Sequence, residues 1–419
     1  MAPNTPKPAL VRRAMLAIGL ATALSLLGDS SLYTILPLNT AEVGVTTVAL
    51  GALLSANRWV RLLSNNLAGW LADRWARRPV FLLAMAIGTT STLLYAVANG
   101  YWPLLIARIM WGIAWSGIWV VGNAIVLDIS DETNRGRLLG VYNVAFSVGA
   151  ATGSGLGGIL NDWLGYRSTV TIEGILTGLG LLIAVLLLPE TGGFREALIP
   201  ASAVKTKAVE DKPLPARSLS AYAIVSIILV FALYGANRIV GAGMFFPTFS
   251  LFVTERFGET ISLGSWQIGS GAAAGMGQSV STLLGLAIIP AAGILSDRVR
   301  NRWQVATLTI VPAIIGLWLL PLGQLVLLLL AVPLIAITLG SVRSVTSAIL
   351  GDVAPQAARG KVMGFLFTVG DLASAVGPLI AFRLLEIRDL TFIYHLAAAI
   401  FGAILIPTLF LALRRTHSW

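Results

Sequence analysis

The chain has 419 residues, 56% hydrophobic and only 11% charged, with a formal charge of +10 and a mean hydropathy of +0.84. Soluble domains carry about 25% charged residues, so a water-soluble globule is excluded and a protein of the lipid bilayer is expected. With no cysteine and two histidines, His395 and His417, disulfides, thiolate catalysis and a zinc–thiolate or histidine-rich centre are excluded too, and neither a metal nor a cofactor is expected. The basic excess is not interleaved with exposed aromatics, so no nucleic-acid partner is expected.

Met1 to Arg13 is short, polar and basic. The apolar run that follows, 14–37, is longer than a signal-peptide core and has no small-residue cleavage site, so it reads as a retained first span. Runs of about 20 apolar residues, enough to cross hydrocarbon, then recur near 47–71, 79–98, 102–127, 138–160, 168–188, 221–247, 267–295, 304–321, 325–351, 362–383 and 391–413. Glu190 to Leu219 differs in kind: it carries Arg195, Lys205, Lys207, Lys212 and Arg217 among Pro200, Pro213 and Pro215, a composition that cannot bury a core. The expected organisation is therefore a six-helix bundle over 1–188, a cytoplasmic linker over 189–219 and a second six-helix bundle over 220–419. With the N-terminus cytoplasmic, 20 of the 29 Lys and Arg residues fall on the inner side and 4 on the outer. That asymmetry predicts a multi-pass protein of the plasma (inner) membrane with both termini cytoplasmic.

The two halves are related. Gly69-Trp-Leu-Ala-Asp73-Arg74-Trp-Ala-Arg77-Arg78 recurs as Gly293-Ile-Leu-Ser-Asp297-Arg298-Val-Arg300-Asn-Arg302, and Asp128…Arg135-Gly136-Arg137 recurs as Asp352…Arg359-Gly360-Lys361. Both repeats sit 224 positions apart, so one unit has been duplicated. In a membrane protein that marks a transporter rocking two halves about a central site.

Twelve spans, a central basic linker and this duplicated loop resemble the major facilitator superfamily over nearly the whole chain. The family pattern G-x-L-x-D-R-x-G-R-R is matched at Gly69, Leu71, Asp73, Arg74, Arg77 and Arg78 and departs at Ala76, where the family usually has Gly. Arg108-Ile-Met-Trp-Gly112 resembles the family's R-x-x-x-G motif. Gly149-Ala-Ala-Thr-Gly153-Ser154-Gly155-Leu-Gly157-Gly158 resembles the antiporter motif G-x-x-x-G-P-x-x-G-G of the drug:proton branch, with Ser154 in place of Pro. The resemblance implies an all-α membrane protein of 12 transmembrane helices in two pseudo-symmetric six-helix bundles. It implies a carrier rather than an enzyme, driven by protons, exporting a small-molecule substrate as a monomer.

The residues support roles of their own. Asp73 and Asp297 end spans at the basic face, and each is expected to sit against a helix N-terminus of the opposite bundle, near Gly360 and Lys361 or near Gly136 and Arg137. With Gly69, Arg74, Arg77, Arg78, Asp128, Arg135, Gly293, Arg298, Asp352 and Arg359 they form a candidate gate. Gly149, Gly153, Gly157 and Gly158 suit close helix packing. Gly153-x-Gly155-x-x-Gly158 fits a dinucleotide fingerprint only formally, since no strand precedes it. No G-x-x-x-x-G-K-[ST], G-x-S-x-G or H-E-x-x-H occurs.

A charge in hydrocarbon costs about 2.5–3.5 kcal/mol on insertion scales, so buried charges face the interior. Asp29 and Arg108 fall at similar depth and are expected to pair, with Asp29 loading and unloading the proton. Arg343 and Asp371 are expected to form a second pair. Arg58, Arg61, Arg238, Arg343 and Asp371, with Trp111 and Trp115 recurring on one face of the fourth helix, are the candidate substrate residues. Glu173 is expected to reach the outer interface as a structural residue, and His395 to be peripheral. An excess of cavity arginines allows an alternative cargo, an anionic or zwitterionic solute or lipid. An alternative of another class is a non-transporting membrane receptor.

Overall fold

The computed structural model describes residues 8–191, 221–356 and 358–414. Twelve long helices account for nearly all of it: α1 (Pro8–Ile35), α2 (Thr47–Trp75), α3 (Arg77–Val97), α4 (Tyr101–Asp128), α5 (Arg135–Leu164), α6 (Tyr166–Leu187), α7 (Ala221–Phe257), α8 (Ser270–Arg298), α9 (Arg302–Leu319), α10 (Leu325–Val353), α11 (Arg359–Leu384) and α12 (Leu390–Leu413). A hairpin of β1 (Thr260–Leu263) and β2 (Trp266–Gly269) precedes α8. The linker expected at 189–219 lies almost entirely outside the described residues.

Ten of the described helices are long and apolar enough to cross a membrane by length and composition alone. The other two are α2 and α5, which are 29 and 30 residues long. Their sequences are less apolar: α2 carries Arg58 and Arg61 within its length, and α5 is rich in glycine. Turns widen to π type at Gly117–Val121 of α4 and Ile239–Phe245 of α7, a distortion often found at functional positions.

Helices α1–α6 form one bundle and α7–α12 the other. In the first, the parallel helices α1 and α5 meet at a constant offset. A Cβ on Gly149 would press into the Ala23 backbone, one on Gly153 would lie 2.7 Å from Leu27 O, and one on Gly157 would collide with Ser31. Glycine every fourth residue thus lets the two backbones touch. The second bundle uses Gly340 of α10 against Gly285 of α8, and Gly377 of α11 against Gly243 of α7.

The bundles meet along two seams, α2 with α11 and α5 with α8. At one, a Cβ on Gly51 would lie 2.9 Å from Pro378 O; at the other, one on Gly275 would collide with Ser154 O. Both members of the first pair stand 224 positions from their counterparts in the second. The duplication read in the charged loops therefore also governs the seams, and the helices obey a pseudo-twofold relation.

Both seams are tight on the face away from the chain ends, termed outer here. Beside them, Thr34 Oγ1 of α1 donates to Gln278 Oε1 of α8 from one bundle to the other at 2.8 Å. On the inner face the helices stand apart: Gly136 and Gly140 of α5 and Gly360 and Gly364 of α11 have no neighbour within 4 Å of an added Cβ among the described residues. The molecule is closed outside and open inside.

Candidate functional site

The most enclosed charges lie in the first bundle. Arg108 of α4 is fully buried. Its Nη1 donates to Asp29 Oδ1 of α1 at 2.7 Å, its Nη2 to Tyr33 Oη at 3.1 Å, and its Nε to Leu53 O of α2 at 3.1 Å. The Asp29 side chain keeps 16% of its surface exposed. The pair thus has one partner locked in the bundle and the other reachable from the interior of the molecule. The Tyr33 ring also lies under two guanidinium groups, 5.2 Å from Arg58 and 5.4 Å from Arg108, a cation–π arrangement that favours keeping both cations near α1.

The remaining in-span charges are arranged differently from expectation. Asp371 does not pair with Arg343. Its carboxylate accepts from Arg61 Nη2 of the opposite bundle at 2.9 and 3.2 Å, because α2 and α11 are seam partners, whereas the charged and polar neighbours of Arg343 are Arg238 and Tyr234 of α7. Arg58 is not free for a ligand either: its Nη1 donates to Ala242 O at 2.9 Å and Ser374 O at 2.7 Å. Those carbonyls belong to α7 and α11, so Arg58 and Arg61 both tie the bundles together. Arg238 of α7 is half-buried and Arg343 of α10 exposed. Neither has an acid or hydrogen-bond partner among the described residues, and Tyr234 and Arg238 are the electrostatic neighbours of Arg343.

Trp111 and Trp115 are buried, at 0% and 6% exposure. They belong to the bundle core and do not line an opening. A ring stack runs from Trp111 through Trp115 to Trp119 and on to Tyr142 of α5, with successive centroids 6.4, 5.7 and 5.4 Å apart. Only Trp119 and the adjacent Phe146 are partly exposed. Glu173 does not reach the interface. It is 2% exposed, accepting from Ser31 Oγ of α1 at 2.6 Å, because α6 turns it inward onto the α1–α5 contact. His395 packs on Trp318 of α9, centroids 4.1 Å apart, outside the central region.

The inner face is open, and the cross-bundle contacts expected of a shut gate are not made in this conformation. Arg77 bridges Asp73 at 2.6 Å and Asp128 at 3.1 Å within the first bundle. Arg302 bridges Asp297 at 2.6 Å and Asp352 at 2.7 Å within the second. The side chains of Asp73 and Asp297 are 72% and 69% exposed. With the inner ends splayed, each acid is held by its own bundle's arginine instead of the opposite helix start. Arg74 lies over the Trp70 ring, while Arg78 donates to Val185 O at 2.8 Å. Glu190 accepts the backbone N–H groups of Arg77 and Arg78 at the start of α3. Arg359 donates to Ala354 O in its own loop at 3.4 Å. Arg135 and Arg298 make no side-chain hydrogen bond among the described residues. Gly69 faces Val120 of α4 and Gly293 faces Ser344 of α10, each within its own bundle. Just before α5, Asp131 accepts from the Thr133 hydroxyl and from the Thr133 and Asn134 N–H groups. These donors hold its carboxyl below the usual range.

One residue escaped the sequence reading altogether. Asp162, at the outer end of α5, accepts from Ala272 N of α8 at 2.7 Å across the bundles. Its only signal was an acid four residues past a glycine pair, which spacing alone does not connect to another helix.

Two bundles duplicated about a pseudo-twofold, with charges at their centre, agree with a wider comparison. A profile of the Major Facilitator Superfamily matches residues 18–279 and again 238–419. The chain belongs to the major facilitator superfamily. It is therefore a multi-pass transporter of small molecules by family. Among curated superfamily members, major facilitator superfamily domain-containing protein 10 of Bos taurus is 28% identical over 86% of this chain and 78% of its own length. A tetracycline resistance protein (class C, Escherichia coli) is 30% identical over 34% of this chain and 35% of its own. Among solved structures, the human organic anion transporter MFSD10 aligns over 95% of this chain and 99% of its own, at 22% identity and a TM-score of 0.62. The nucleoside transporter NupG aligns over 96% and 100%, at 13% identity and a TM-score of 0.75. At such identities the structures attest the fold alone.

Proposed function

We propose that the chain is a proton-coupled secondary transporter that exports a small organic compound by alternating access. The carrying observation is the Asp29–Arg108 pair, 2.7 Å apart with the arginine sealed and the acid partly exposed. A carboxylate so placed alternates between ion pair and neutral acid as its surroundings change, and its affinity for a proton then depends on which way the molecule opens. The basic excess of the inner face supports cytoplasmic termini in a plasma (inner) membrane. On closure of that face, Asp73 and Asp297 exchange their own arginines for the starts of α11 and α5, whose partial positive charge attracts an anion. Arg74, Arg78, Arg135, Arg298 and Arg359 stay with the loops as counter-charges. The test is transport into proteoliposomes under an imposed pH gradient. Asp29→Asn is expected to lose gradient-driven accumulation while keeping cargo exchange, and unchanged gradient-driven transport would reject it as the coupling acid.

A second, narrower reading concerns the cargo. Arg238 and Arg343 are the in-span arginines with neither an acid nor a hydrogen-bond partner among the described residues, whereas Arg58 is held by two carbonyls, and two such cations favour an organic anion. A similar protein of known fold is named an organic anion transporter. Arg238→Gln with Arg343→Gln is expected to weaken anion binding about tenfold or more, as loss of a charge-assisted hydrogen bond does. Thermal stabilisation of purified protein by a panel of anions measures it. Equal stabilisation of parent and double variant rejects the anion reading.

A further inference from the structure

At the outer end of the α5–α8 seam, the start of α8 meets an acid of the other bundle. Helix α8 begins at Ser270 after Gly269, and no side chain of its own caps it. The first backbone N–H groups of a helix need an acceptor. Here the acceptor comes from the opposite bundle: Asp162 of α5 takes the N–H of Ala272, the third residue of α8, at 2.7 Å. That is the position an N-cap side chain serves from within its own chain segment. The carboxylate also adds a negative charge at the positive end of a 29-residue helix, an arrangement favourable in its own right.

The surrounding residues are shaped to admit it. A Cβ on Gly269 or on Gly271 would collide with the Asp162 carboxylate, and one on Gly158 would collide with Gly271 O. Three glycines from two bundles thus leave a cradle that the carboxylate fills. The arrangement is one-sided. The duplicate of Asp162, 224 positions on, is Glu386, which pairs instead with Arg383 of its own segment. Helix α2, the duplicate of α8, caps itself: Thr46 Oγ1 accepts from Ala49 N at 3.3 Å.

We propose that Asp162 is a latch, an acid lent by one bundle to cap a helix of the other, which holds the outer face shut and is released when that face opens. Rocking the bundles apart strips α8 of its cap, so the closed outer face is favoured by the strength of that bond. The latch is independent of what the protein carries and of which ion drives it.

The absence of cysteine makes a direct test available in purified full-length protein in lipid nanodiscs. Spin labels are placed as Trp102→Cys with Val326→Cys on the outer rim, and separately as Glu132→Cys with Gln356→Cys on the inner rim. All four positions are exposed, and each pair spans the two bundles at duplicate positions. Asp162→Ala is expected to shift the closed-to-open ratio outside by about tenfold, the size of one charge-assisted hydrogen bond. Outer distances lengthen and inner ones shorten. Asp162→Asn keeps an acceptor without the charge and falls between the parent and Asp162→Ala. Gly271→Ala, which displaces the carboxylate without removing it, follows Asp162→Ala. Unchanged outer distances in Asp162→Ala overturn the proposal. So does lengthening at both rims, which reports loosened packing instead of a released latch.

Discussion

Single residues show how far chemistry depends on partners. Five arginines lie in the spans, and their side chains alone cannot tell which will hold the molecule together and which will meet a ligand. Arg108 is consumed by Asp29, Tyr33 and a carbonyl, and Arg58 by two carbonyls of the other bundle; Arg238 and Arg343 are left. Residue identity also leaves a mark at Ala76, the single non-glycine residue with positive φ among those described, at φ 100° and ψ 157°. That region is essentially reserved for glycine, and a Cβ there costs of order 1–3 kcal/mol. It forms the sharp turn between α2 and α3, where the family pattern carries Gly. Ala76→Gly is therefore expected to raise the melting temperature by roughly 2 °C, after about 0.5–1 kcal/mol is returned as glycine entropy in the unfolded chain. Thermal unfolding in detergent measures this, and a fall in melting temperature would show that the turn is not strained.

At the scale of elements, helix α5 combines two uses of glycine that its sequence does not separate. Gly149, Gly153 and Gly157 lie against α1, whereas Gly136 faces open space. The same substitution should then have opposite signs along one helix. Gly153→Ala places a methyl group 2.7 Å from Leu27 O, a backbone atom that cannot move aside, and is expected to cost about 1–3 kcal/mol. Gly136→Ala removes only glycine's helix penalty and is expected to gain a few tenths up to about 1 kcal/mol. Denaturation midpoints of the two variants decide the matter; equal effects would mean that α5 is not pressed onto α1. The periodic spacing of these glycines made close packing legible in sequence. Which helix they pack on was not, because spacing defines a face and not its neighbour.

For the whole molecule, the open inner face and closed outer face follow from which halves of the seams touch. The orientation of those faces in the bilayer rests on the charge asymmetry, and it can be read independently. A thiol at Trp102→Cys, on the outer rim, is expected to react with an impermeant maleimide in intact cells. One at Lys361→Cys, on the inner rim, is expected to react only after permeabilisation. The reverse pattern would invert the direction of transport proposed here.

The sequence by itself determined the class of molecule, its helix count, the duplication and the family. Each is written in local or periodic properties: apolar length set by bilayer thickness, basic loops, and a repeated motif at one fixed shift. It also set Asp29 and Arg108 at matching depth, since helical rise converts residue number into height. The tertiary structure decided everything that depends on which helices are neighbours. It paired Asp371 with Arg61 instead of Arg343, enclosed Trp111, Trp115 and Glu173, kept Asp73 and Asp297 within their own bundles, and brought Asp162 to the start of α8. Height along a helix is encoded in the chain one residue at a time; azimuth and neighbour emerge only when twelve helices have packed and the bundles have tilted to one side.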